Sequence, residues 1–128
     1  MNKTDNKLLK LEKAVRKLQL ALLQPETEEL SIDGIIQRFE FSFELCWKAM
    51  KDVLLEQGVE VKFPKEALQK SYAAGWIDDE KLWLAMLEDR DETSHTYDEE
   101  IAKAIYERVK LYCPELTRVS GLLREKLA

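Results

Sequence analysis

A chain of 128 residues with 45% hydrophobic and 35% charged side chains has room for one core and none for a second, so a single helical domain over residues 1–128 is expected. Four glycines and three prolines are too few for an all-β fold rich in turns. A formal charge of −5 speaks against coating nucleic acid by general electrostatics; any RNA contact must be local, and the acidic surface suits a protein partner with a basic face.

Leu8, Leu11, Val15, Leu18 and Leu22 recur at three-and-four spacing and predict a first helix ending before Pro25. Residues 1–10 lack the apolar core of a signal peptide, and no stretch approaches the length of a membrane span, so the expected compartment is the cytoplasm, away from any membrane. Ser31 or Asp33 is placed to cap a second helix that runs to about Gln57, with Gly58 as its stop. Its core stripe is Ile36, Phe39, Phe43, Trp47, Met50 and Leu54. Phe41 and Leu45 lie nearly opposite that stripe, one turn apart, and read as a contact surface for a second copy or another protein.

Glu40 and Glu44 border the same stripe four residues apart, where like charges repel unless a cation intervenes. A di-metal carboxylate bundle needs Glu-x-x-His pairs, and the single histidine lies elsewhere, so the structural reading is preferred: one of these carboxylates pairs with Arg90 or Arg38. Cys46 and Cys113 are isolated and read as buried thiols rather than a disulfide or zinc site. No metal or cofactor is expected.

Pro64 suits the first turn of a short third helix ending at Gly75, a cross-piece rather than a bundle member. From Asp78 a fourth helix carries Leu82, Trp83, Met86 and Leu87 on one stripe, and Arg90 falls inside it, so the guanidinium points inward and requires a carboxylate or an anionic ligand. Beyond a polar stretch, Ile101, Ile105, Val109 and Tyr112 predict another helix, which Pro114 breaks or kinks before Leu116, Val119, Leu123 and Leu127 continue the pattern. Long helices with short connections predict an all-α, antiparallel up-and-down bundle of four to five helices.

The segment from Arg90 to Tyr97 holds a fixed cation, the only histidine and a phenol within eight residues. Arginine clamps phosphate, histidine moves protons near neutral pH, and tyrosine offers a hydroxyl that attacks or is modified. The plainer reading is a helix end whose Arg and His cap carbonyls or pair with carboxylates. On an unbroken helix Arg90 and His95 stand about 140° apart. Thr93, Ser94 and Thr96 are poor helix-interior residues, and Asp98 is a good N-cap, so a break is expected there; an extended 94–97 would set His95 and Tyr97 on one side.

Arg-x4-His-x-Tyr, here Arg90, His95 and Tyr97, resembles the signature of the HEPN superfamily, in its HepT-like nucleotidyltransferase substrate-binding branch. Residues 31–48, with Phe39, Glu40, Phe41, Glu44 and Trp47, resemble that branch's second helix, and Ala74-Gly75-Trp76-Ile77-Asp78-Asp79 followed by Trp83, Met86 and Leu87 is similar to its approach to the motif. The likeness covers roughly residues 5–112. Several relatives carry Asn directly after the Arg, where this chain has Asp91, and a carboxylate there weakens binding of a polyanion.

The resemblance implies the helical partner of a separately encoded minimal nucleotidyltransferase. In toxin–antitoxin members of that family the transferase adds nucleotide to the Tyr of the motif, here Tyr97. A second reading is a metal-independent endoribonuclease in which His95 moves the proton and Arg90 stabilises charge on the scissile phosphate. One histidine per chain is few for two proton transfers, and a homodimer supplies another, the arrangement that HEPN relatives imply. A third reading is a non-catalytic module that presents a small substrate or protein to the transferase, with His95 and Tyr97 as hydrogen-bonding groups.

Overall fold

The computed structural model describes residues 2–24, 29–95 and 98–127, with only the backbone described at 29–30 and 94–95. It is all-helical over these residues: α1 (Lys3–Leu22), α2 (Glu29–Glu56), α3 (Pro64–Ala73), α4 (Glu80–His95) and α5 (Glu99–Leu127).

Side-chain pairs fix the directions. Lys7 near the start of α1 meets Asp52 near the end of α2 at 2.8 Å, while Arg124 at the end of α5 reaches back to Asp5 and Glu12 of α1 at 2.8 and 2.9 Å. Both helices therefore run antiparallel to α1. Trp83 donates to Glu115 at 3.1 Å and Arg108 to Asp89 at 2.8 Å, so α4 runs antiparallel to α5. The result is the up-and-down bundle expected from the apolar periodicity, with α3 packed on α2 and α4.

The core is built from the predicted stripes. Leu8, Leu11, Val15 and Leu18 are buried on α1, all six stripe residues of α2 are buried, and Ile105, Val109, Tyr112, Leu116, Val119 and Leu123 complete the wall on α5. Phe39 stacks on Tyr112 with ring centroids 5.5 Å apart, which joins the centres of α2 and α5. Gly58 and Gly75 take φ of +85° and +80°, the left-handed conformation that lets the chain leave α2 and α3 without a Cβ penalty.

Three boundaries differ from the sequence reading. The helix α2 begins at Glu29, so Ser31 and Asp33 lie inside it rather than capping it, and Ile32, Ile35 and Ile36 are buried in its first turns. Pro114 sits inside a continuous α5. It removes one backbone donor, a cost of about 3 kcal/mol, but Tyr112, Cys113, Leu116 and Val119 bury on one face across it and outweigh that loss. Most relevant to function, α4 does not break after Arg90 but continues through His95.

Candidate functional site at the end of the fourth helix

The start of α4 is set by Asp79, whose carboxylate accepts the Leu82 N–H at 3.1 Å. Trp83 and Met86 then bury fully, with Leu82 and Leu87 half-buried against the core. One turn on, Arg90 continues that stripe and is half-buried, its side chain 29% exposed. As expected from its position, it meets a carboxylate of α2. Nη2 donates to Glu44 Oε2, and Nη1 donates to Asp91 Oδ1 at 2.9 Å.

Of the two candidate carboxylates, Glu44 is the partner. It also receives Lys48 at 3.3 Å, one turn along α2. Partial burial works to raise its pKa, but the Trp47 indole N–H, close by without completing a hydrogen bond, together with Arg90 and Lys48, outweighs burial and holds the carboxyl below the ordinary glutamate range. Arg90 responds in the same sense: burial opposes its charge, while the bonds to Asp91 and Glu44 raise its pKa further. The guanidinium is thus permanently cationic and orientated by two anions.

Glu40 faces elsewhere. With Asp33, Ile36, Thr93, Asp98 and Ile105 it lines a cavity of about 500 Å³ between the start of α2, the end of α4 and the start of α5. Asp98 is the N-cap expected for α5, accepting the N–H groups of Glu100 and Ile101 at 2.9 and 3.2 Å.

The helix α4 runs unbroken through His95. The Thr93 hydroxyl, expected to favour a break, instead donates to the Arg90 carbonyl at 2.9 Å within the helix. The Arg90 and His95 backbones therefore keep their stagger of about 140°, and the expected convergence through a break between them does not occur. His95 closes α4; its side chain and the whole of Tyr97 lie outside the described residues, as does an extended 94–97 in its second half.

The two residues assigned to a contact surface on α2 differ in exposure. Phe41 is 58% exposed, but Leu45 is half-buried and packs on the core, because its neighbours Cys46 and Ala49 bring that side of the helix close to the bundle. Cys46 and Cys113 are free, buried thiols, and burial raises the pKa of both, which removes them as nucleophiles. Among the described residues no group of three or more His, Cys, Asp or Glu is arranged to hold a metal ion, and no helix is long and apolar enough to cross a membrane.

One cluster beside the site escaped the sequence reading. Asp89, immediately before Arg90, is buried and accepts three hydrogen bonds from α5: Arg108 Nε and Nη2, each at 2.8 Å, and the Tyr112 hydroxyl at 2.5 Å. The bond to Asp89 raises the Arg108 pKa against partial burial, and burial followed by the same carboxylate raises that of Tyr112. A signal was available. Asp89 stands three residues after Met86 and seven after Leu82, a core register, and Arg108 and Tyr112 are one turn apart.

The described residues form an all-helical bundle with the fold of a nucleotidyltransferase substrate-binding domain. The chain matches the family described as nucleotidyltransferase substrate binding protein like over residues 6–125, and it belongs to that family. It is similar to a probable ribonuclease HepT from Haemophilus influenzae, 33% identical over 81% of this chain and 75% of that protein. Among solved structures, a protein from Thermus thermophilus is 36% identical over 89% of this chain and 98% of its own, with a TM-score of 0.84. HI0074 of Haemophilus influenzae, described as having the fold of a substrate binding domain of a nucleotidyltransferase, is 29% identical over 94% of this chain and 96% of its own, with a TM-score of 0.68.

Proposed function

We propose that the chain is the helical partner of a separately encoded minimal nucleotidyltransferase, and that Tyr97 is the acceptor the transferase modifies. The observation that carries this reading is Arg90, held by Glu44 and Asp91 five residues before His95 and seven before Tyr97. In the modification, the Tyr97 phenolic oxygen bonds to the α-phosphorus of ATP, the bond to the β-phosphate oxygen breaks, pyrophosphate leaves, and the phenolic proton passes to a base. The fixed guanidinium of Arg90, seven residues before Tyr97 in the chain, would balance charge on the transferred phosphate. The net charge of −5 on this chain suits a partner with a basic face. The test is mass spectrometry after incubation with the partner and ATP: a gain of one AMP on Tyr97, lost in Tyr97→Phe, is expected. An unmodified Tyr97 beside an active partner overturns the reading.

A second reading, supported by the likeness to a probable ribonuclease HepT, is metal-independent RNA cleavage by Arg90 and His95. Two copies would bring two histidines, and the exposed Phe41 on α2 is the contact we assign to such a homodimer. Here His95→Ala is expected to abolish degradation of RNA in chelator; equal degradation by both proteins removes this reading. Both readings place the protein in the cytoplasm, as a toxin component or as a substrate-presenting subunit.

A further inference from the structure

Residues 88–95 contain no apolar side chain, so the last two turns of α4 cannot be anchored by hydrophobic burial. They are anchored by charge instead. Asp89 and Arg90 are successive residues, about 100° apart around the helix, and they reach different neighbours: Arg90 reaches Glu44 on α2, and Asp89 reaches Arg108 and Tyr112 on α5.

The two anchors differ in rigidity. The α2 anchor joins side chains that are each about one-third exposed, at 29% and 30%. The α5 anchor has an Asp89 side chain only 11% exposed, a two-pronged guanidinium contact, and a phenol on a ring that is itself buried and stacked on Phe39. A bidentate contact fixes direction as well as distance. Tyr112 carries that constraint into the centre of the core.

We propose that Asp89, Arg108 and Tyr112 form a positioning unit that sets the rotation of the end of α4 and so places Arg90 and His95 for their chemistry. The proposal rests on the reading of this helix end as the functional site. Asp89 touches neither substrate nor reacting atoms; it acts through the helix.

Because His95 is the only histidine, its imidazole gives a single set of NMR signals, and these report on the helix end whatever the activity. Asp89→Asn, Tyr112→Phe and Arg124→Met would be compared with wild type through a pH titration of the full chain. Arg124 is the control: it also binds two carboxylates, Asp5 and Glu12, but on α1. Asp89→Asn is expected to move the His95 signals and their titration midpoint, Tyr112→Phe to move them less, and Arg124→Met to leave them in place. The rate of AMP incorporation at Tyr97 should fall about 10- to 100-fold in Asp89→Asn with the KM for ATP little changed, as expected for misplaced rather than missing groups.

His95 signals that coincide with wild type in folded Asp89→Asn and Tyr112→Phe overturn the proposal. If Asp89→Asn does not fold, Tyr112→Phe, which leaves the Asp89–Arg108 pair intact, decides alone. Shifted His95 signals in a chain whose Tyr97 is never modified support the positioning unit while the functional reading fails, so the two are separable.

Discussion

The first helix and the last two turns of the fourth are held by opposite means. Along α1, Leu8, Leu11, Val15 and Leu18 are buried and its ion pairs, Lys7 with Asp52 and Arg124 with Asp5 and Glu12, are partly exposed additions. At the end of α4 the apolar stripe has run out, and Asp89 and Arg90 do the anchoring. Apolar burial is non-directional and tolerates small rotations of a helix, whereas hydrogen bonds to charged groups specify angle as well as distance. Residues 88–95 carry no apolar side chain to bury. This helix end is therefore positioned by a carboxylate and a guanidinium pulling on two neighbours.

Substitutions can break or sharpen this contrast. In the apolar region the largest loss is expected at Phe39, which is fully buried and stacks on Tyr112: Phe39→Ala should cost about 3–5 kcal/mol in chemical denaturation. Asp89→Ala should cost about 2–3 kcal/mol, less than the core change because the half-exposed Arg108 can rehydrate while only the Tyr112 hydroxyl is left buried without its partner. A loss below that of an ordinary surface change would mean that α4 is held by other contacts.

The Arg90–Glu44 pair should contribute about 1 kcal/mol or less, since both side chains are partly in water. Its pH dependence identifies it. The folded pKa of Glu44 lies below the 4.5 of an ordinary glutamate, so the contribution is complete at neutral pH and is lost as pH falls below 4.5 and through the depressed folded value. Wild type should therefore exceed Glu44→Gln in stability at neutral pH and converge with it in acid; a constant difference would show that packing, not charge, is responsible. The smallest effect on folding is expected from Phe41→Lys, within about 0.5 kcal/mol because the ring is exposed. If the chain forms the proposed homodimer, light scattering should nevertheless register a fall to the monomer mass, and an unchanged dimer mass would remove Phe41 from self-association.

Much of this architecture is written in residue spacing. The stripes of α1, α2 and α5 are legible because each repeats at helical period over several turns, and Gly58 and Gly75 mark real stops. The inward direction of Arg90 followed from the same periodicity, and its need for a carboxylate followed from desolvation; Glu44 met that need. Local propensity was the weaker guide. Thr93 and Ser94 read as a break, yet α4 continues through His95, and Pro114, read as a break or a kink, lies inside a continuous α5.

Periodicity and chemistry alone determined the helical class, the core faces and the inward guanidinium, because those depend on intervals along one helix. Which carboxylate Arg90 selects, where Glu40 faces and the existence of the Asp89–Arg108–Tyr112 cluster were decided only by how the helices pack. These contacts join residues 19 to 46 positions apart, and their partners become neighbours only when the bundle sets the register between helices.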